Sequence, residues 1–179
     1  MIHLTYFVHG TTTDNEAGIA TGWLPGELSQ LGVEQARILG EMAKGKQFDA
    51  VFCSDLRRAV DSARLAFGGR YDIIQDKRLR EANYGKWNGQ PDHFKHDLER
   101  YISTGFPNGE SYHDVERRVA DVLAFLKVRY DGKRVAIVAH QAPQLALEVL
   151  CNKKSWPEAI QSDWRRSGQW QPGWEYALY

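Results

Sequence analysis

At 179 residues the chain has the length of one domain with a substantial core. With 42% hydrophobic and 26% charged residues, it is not a disordered polyelectrolyte. Lys plus Arg and Asp plus Glu both number 23, which excludes the strongly basic balance of a nucleic-acid binder, and no segment nears the roughly 20 apolar residues of a membrane span.

Met1 to Val8 reads as a first strand that stops at His9 and Gly10. Thr11 to Glu27 carries Thr, Asn, Gly and Pro without a period and is expected to be a long loop, the kind that often carries function. A helix follows, with Leu28, Leu31, Gln35, Leu39 and Met42 at helical spacing, Ser29 as its cap and Gly45 as its stop. Ala50 to Cys53 is a short apolar strand. The next helix, expected to start at Ser54 and Asp55, places Leu56, Val60, Ala63 and Phe67 on one side. Tyr71 to Ile74 predicts another strand.

Arg80 to Gly109 mixes Gly, Pro, Asn and charges, so a loop with a short helix near Asp92 to Ile102 is predicted. Ser111-x-x-Asp114 opens a helix whose stripe is Tyr112, Val115, Val119, Val122 and Leu126. Arg134 to Ala139 is apolar on both faces, as buried parallel strands are. His140 follows it, and Pro143 falls in the first turn of a further helix, where it is tolerated. The tail holds Trp156, Trp164, Trp170 and Trp174, read as packing residues, and Glu175 to Tyr179 predicts a closing strand.

Strands alternating with helices predict an α/β fold: three layers, a mostly parallel central sheet and helices on both faces, in one domain over residues 1–179. Cys53 and Cys151 lie in apolar stretches and are expected to be free thiols. The N-terminus carries no basic segment followed by a long apolar run, which makes the cytoplasm the expected location.

Three chemical groups follow apolar strands: His9, Arg58 and His140. In open parallel sheets ligands bind beyond the carboxyl ends of the strands. By spacing alone these residues are either a site or ordinary structural positions, and Glu81 is an ordinary loop carboxylate. His93 and His96, with Asp92 and Asp97, form only a weak metal pattern without a third ligand.

The run from Val8 to Asn15, Val-His-Gly-Thr-Thr-Thr-Asp-Asn, resembles the opening Arg-His-Gly-x-Thr-x-x-Asn of the histidine phosphatase superfamily, also called phosphoglycerate mutase-like. Gly18, Gly22 and Trp23 continue the likeness, and Leu28 to Ala36 is similar to the helix start that follows. Ser54-Asp55-Leu56-Arg57-Arg58-Ala59 resembles the segment with the family's second arginine and selects Arg58 over Arg57. Leu79-Arg80-Glu81 with Gly85, Trp87 and Gly89 resembles the segment with the acid. Phe106 to Ser111 resembles the lead-in to a long helix, and Val138-Ala139-His140 stands where the second histidine belongs.

The resemblance implies a phosphomonoesterase of the phosphatase branch that acts on a small phosphorylated metabolite and needs no metal or other cofactor. His9 takes up the phosphoryl group and Glu81 serves as acid and then base. Arg58, His140 and Asn15 hold the phosphoryl oxygens, with help from backbone N–H groups around Gln141. Neither a nucleic acid nor a membrane is an expected partner, and the oligomeric state is not specified.

The chain departs from the family pattern at the phosphate clamp: Val8 replaces the motif arginine, Ala139 a serine and Gln141 a glycine. Losing one charged partner of a desolvated anion costs on the order of 2–5 kcal/mol. Two readings follow, a weakened phosphatase and a catalytically impaired pseudo-phosphatase that binds an anion or a protein partner. An arginine restored at position 8 is expected to raise kcat/KM about tenfold or more.

Overall fold

Alternation with period two decides the middle of the molecule. In strand β1 (Ile2–Val8), Ile2, Leu4 and Tyr6 enter one core cluster while Phe7 enters another; in β6 (Arg134–Ala139), Val135, Ile137 and Ala139 join the first, Ala136 and Val138 the second. Each strand thus carries apolar side chains on both faces, and helices must cover both. The computed structural model, which describes residues 1–166, 171 and 173–179, shows this arrangement.

The described residues form a five-stranded sheet in the order β4-β3-β6-β1-β7, with β3 at Ala50–Cys53, β4 at Ile73–Gln75 and β7 at Gly173–Leu178. All neighbours are parallel except β7, which runs antiparallel to β1 at the edge. Helices α2 (Gln30–Met42) and α3 (Arg57–Phe67) cover the face of Phe7 and Val51. Helices α4 (Tyr112–Arg129) and α5 (Gln141–Asn152) cover the face of Tyr6 and Phe52. The expected α/β architecture is the observed one.

Elements predicted from strong periods keep their places. Leu56, Val60, Ala63 and Phe67 are all buried, as are Tyr112, Val115, Val119, Val122 and Leu126. The α2 stripe, in contrast, holds only in part: Leu39 is buried as expected, but Leu31 and Met42 are exposed, and the rest of the buried face is Gly32, Ala36, Gly40 and Ala43. Small residues win there because α2 touches backbone. A Cβ on Gly40 would stand 2.8 Å from the Ala66 carbonyl oxygen of α3, closer than a packed side chain allows.

Other boundaries moved for local reasons. The expected loop Thr11–Glu27 contains a one-turn helix, α1 (Thr13–Glu16), and a short strand, β2 (Ile19–Ala20), paired with β5 (Gln90–Pro91). Helix α3 starts at Arg57 rather than Ser54, whose hydroxyl instead accepts the Leu56 N–H in a turn. Tyr71 is left out of β4 because its N–H turns back to the Phe67 carbonyl at the end of α3. The segment Asp92–Tyr101 is 3-10 helix broken at Asp97, not α-helix. Helix α6 (Trp156–Gln161), capped by Ser155, was not foreseen. Cys53 is buried and Cys151 half-buried, both free. Trp170 lies outside the described residues.

Candidate active site

Strands β1 and β6 lie side by side with Val8 opposite Ala139, so the next residues on each, His9 and His140, emerge together at the carboxyl edge. Their ring centroids are 5.0 Å apart. The His9 N–H continues the ladder to the Ala139 carbonyl at 3.0 Å, and the Tyr6 hydroxyl pins His140 by donating to its carbonyl and accepting its N–H, at 2.7 and 3.0 Å. Gly10 allows the chain to leave β1 directly over α2. A Cβ there would sit 2.2 Å from the Gly32 carbonyl oxygen. Ser62 ties this corner to α3 by accepting the Gly10 N–H and donating to the Arg58 carbonyl.

Hydrogen bonding assigns the His9 tautomer. Its Nδ1 is 2.7 Å from the Gly10 carbonyl oxygen, which has no proton to give, so Nδ1 carries the hydrogen. Nε2 therefore keeps its lone pair, and the Arg58 Nε–H donates to it at 3.3 Å. Burial, then the Arg58 charge, lower the His9 pKa to about 3. Burial and the same guanidinium also hold His140 well below the usual histidine value. Both ring nitrogens of His140 are buried and find no partner among the described residues.

Glu81 reaches the first turn of α5. Its Oε1 accepts the N–H groups of Ala82 and Ala142 at 2.9 and 3.0 Å, and its Oε2 the N–H of Gln141 at 3.3 Å. The backbone donors around Gln141 are thus engaged by Glu81. The Gln141 side chain turns to Asp163. Asn15 closes a capping box with Thr12: its N–H donates to the hydroxyl and its Oδ1 accepts the Thr12 N–H, each at 3.0 Å. This spends the amide oxygen and leaves the NH₂ end outside the capping box. A hollow of about 210 Å³ is lined by Val8, His9, Asn15, Glu81 and Gln141, and also by Gln35, Lys95, Trp164 and Arg165. The structure thus places Val8, His9, Asn15, Glu81 and Gln141 on one hollow, with Arg58 and His140 buried beside His9, and leaves His93 and His96 off its lining.

Three contributors escaped sequence reasoning. Arg118 of α4 donates to the carbonyls of Arg78, Arg80 and Glu81 and pairs with Glu110, fixing the backbone that carries the acid. Its signal was a charge set between Val115 and Val119 in an apolar stripe. Lys95 and Arg165 come from 3-10 turns without periodicity, and Trp164, expected as packing, lines the hollow. Among the described residues no group of three His, Cys, Asp or Glu side chains is placed to share a metal ion. No helix of the described residues is long and apolar enough to cross a membrane.

Comparison with known proteins bears on what this arrangement does. A family model described as the histidine phosphatase superfamily (branch 1) matches residues 6–172. An adenosylcobalamin/α-ribazole phosphatase from Salmonella typhimurium is 34% identical over 144 residues, spanning 74% of this chain and 71% of that protein. A 2,3-bisphosphoglycerate-dependent phosphoglycerate mutase from Methylorubrum extorquens is 32% identical over 149 residues, 74% of this chain and 70% of that protein. The structure of a mycobacterial glucosyl-3-phosphoglycerate phosphatase complexed with VO3 superposes with a TM-score of 0.78 at 30% identity, covering 89% of this chain and 86% of that one.

Proposed function

The chain belongs to the histidine phosphatase superfamily, and from that premise we propose that it is a phosphomonoesterase that works through a phosphohistidine on His9. One observation carries the reading: the Gly10 carbonyl keeps the proton on Nδ1, which leaves the Nε2 lone pair to a long contact with the Arg58 Nε–H that attack on phosphorus displaces. A neutral imidazole nucleophile is what in-line attack on phosphorus requires.

In the first step the Nε2 lone pair forms the N–P bond while the P–O bond to the leaving group breaks, and Glu81 passes a proton to that oxygen. Oε2 is suited to this because its one contact is the long one, to Gln141. In the second step Glu81 takes a proton from water, the water oxygen bonds to phosphorus, and the N–P electron pair returns to Nε2. The products are an alcohol and orthophosphate. The Asn15 amide on the lining and the unpartnered ring of His140 behind it supply neutral donors for the phosphoryl oxygens, while Arg58, bound to His9 and to backbone carbonyls, acts on the nucleophile rather than on the phosphate.

Hydrolysis is favoured over mutase chemistry because the chain between Trp87 and Gly109 is only a short strand and a broken 3-10 turn, a modest cover over His9. The substrate is a small phosphorylated metabolite, and two free cysteines fit a reducing, cytoplasmic setting. Release of phosphate from an aryl phosphate, abolished in His9→Ala, is the expected result. No release above the His9→Ala background would instead support a pseudo-phosphatase.

A further inference from the structure

The positive charge that the hollow shows to a ligand does not come from Arg58. That residue is 2% exposed, and each of its three nitrogens already donates: Nε to His9, Nη1 to the Leu24 and Pro25 carbonyls, Nη2 to the Gly22 carbonyl. Val8 adds an apolar wall. Among the described residues, the cations on the lining are Lys95 and Arg165.

Arg165 is held in place on the lining by its neighbours. Asp163, itself buried, anchors it through Nη1 at 2.8 Å and through the backbone N–H at 3.1 Å. Its guanidinium lies 4.8 Å from the ring centre of Trp164 and 5.9 Å from that of Trp174. Its Nη2 is buried and finds no partner among the described residues. A buried donor of this kind costs free energy until an acceptor meets it. Lys95 pairs with Asp92 at 4.0 Å and also feels the Glu81 charge.

We propose that Arg165, seconded by Lys95, grips the non-bridging oxygens of the phosphoryl group presented to His9, so that the anion clamp of this site is supplied by the turn after α6. The assignment rests on the phosphatase reading for its ligand, but it stands or falls on anion binding alone. A planar guanidinium held at one end and free at the other suits a tetrahedral oxyanion.

The test is binding of inorganic phosphate and of orthovanadate, read by calorimetry and by the tryptophan fluorescence that Trp164 and Trp174 place beside Arg165. Wild type, Arg165→Gln, Arg165→Lys and Lys95→Met are compared, with thermal unfolding as a check on folding. Arg165→Gln is expected to weaken orthophosphate binding about tenfold or more and to lower kcat/KM for an aryl phosphate in proportion. Arg165→Lys should recover part of both, and Lys95→Met should cost less than Arg165→Gln.

Binding of orthophosphate by Arg165→Gln as tightly as by wild type overturns the assignment, even if the enzyme turns over normally. So does a wild type that binds neither anion. Arginine-dependent binding without ester hydrolysis leaves the clamp standing and sinks the phosphatase reading instead. Should Arg165→Gln fail to fold, unchanged anion binding in both Arg165→Lys and Lys95→Met overturns the assignment.

Discussion

The Nε–H of Arg58 points at Nε2 of His9 across 3.3 Å, while the Gly10 carbonyl holds Nδ1 on the other side of the ring at 2.7 Å. A guanidinium has no lone pair to offer a protonated ring, so this contact exists only while the imidazole is neutral. Protonation of His9 must therefore break it, and burial opposes the added charge as well.

The tautomer is directly measurable. Nitrogen chemical shifts of His9 should report a neutral ring with its hydrogen on Nδ1 at pH 5, well above a pKa near 3. A free histidine is mostly charged at that pH. A His9 ring that titrates near 6.5 would contradict the assignment.

Acid stability follows from the same groups. Below about pH 6.5 an unfolded chain protonates both histidines, whereas the folded chain keeps His9 neutral to about pH 3 and His140 neutral below its usual range. Unfolding then takes up protons, so these two residues make stability fall as pH drops from about 6.5 and leave it unaffected above. His140→Gln, which cannot take up the proton, should flatten the slope of denaturation midpoint against pH between 6.5 and 4.

Arginine at position 8 is a sharper case. The motif comparison led to an expected gain of about tenfold. The structure changes that outcome, because Lys95 and Arg165 already line the hollow beside Val8 and a further cation would meet them at short range. Val8→Arg should alter kcat/KM of wild type by less than about threefold, yet recover much of the loss in Arg165→Gln. Kinetics on the four proteins of this cycle decide it: additive effects would mean that the two positions serve different oxygens.

Arg118 is expected to act at a distance from the substrate. Arg118→Met removes the donors to the carbonyls of Arg78, Arg80 and Glu81 and leaves Glu110 without its arginine, at a cost on the order of 3 kcal/mol. With the Glu81 backbone loosened, kcat should fall while KM for an aryl phosphate changes little, and Arg118→Lys should restore only part of kcat. An equal fall in Glu81→Gln and in the double variant with Arg118→Met would show that the two act as a unit.

Packing at the strand end makes a stability prediction. Gly10→Ala drives a methyl group into the Gly32 carbonyl, and Gly32→Ala does the same toward Thr11. Each should lower stability by about 1–3 kcal/mol in chemical denaturation. Gly45→Ala, where nothing lies within 4 Å of the added carbon, should not.

These cases show where sequence reasoning succeeds. Strands apolar on both faces and helices with regular stripes were legible because burial repeats with the geometry of the element, as in Arg134–Ala139 and Tyr112–Arg129. The α2 face was misread because close backbone approach favours glycine and alanine over leucine. His9 and His140 were legible as residues that follow strands, whereas the choice of Arg58 over Arg57 and of Glu81 came from the motif resemblance. Lys95 and Arg165 were not, since irregular turns carry no period and their meeting depends on the whole tertiary path.

The phosphohistidine is the central claim. Wild-type protein mixed with an aryl phosphate, quenched in base within the first turnovers and fragmented in a mass spectrometer should carry one phosphoryl group, on the peptide containing His9. Phosphate release with no label on His9, or with the label on His140, would contradict the account.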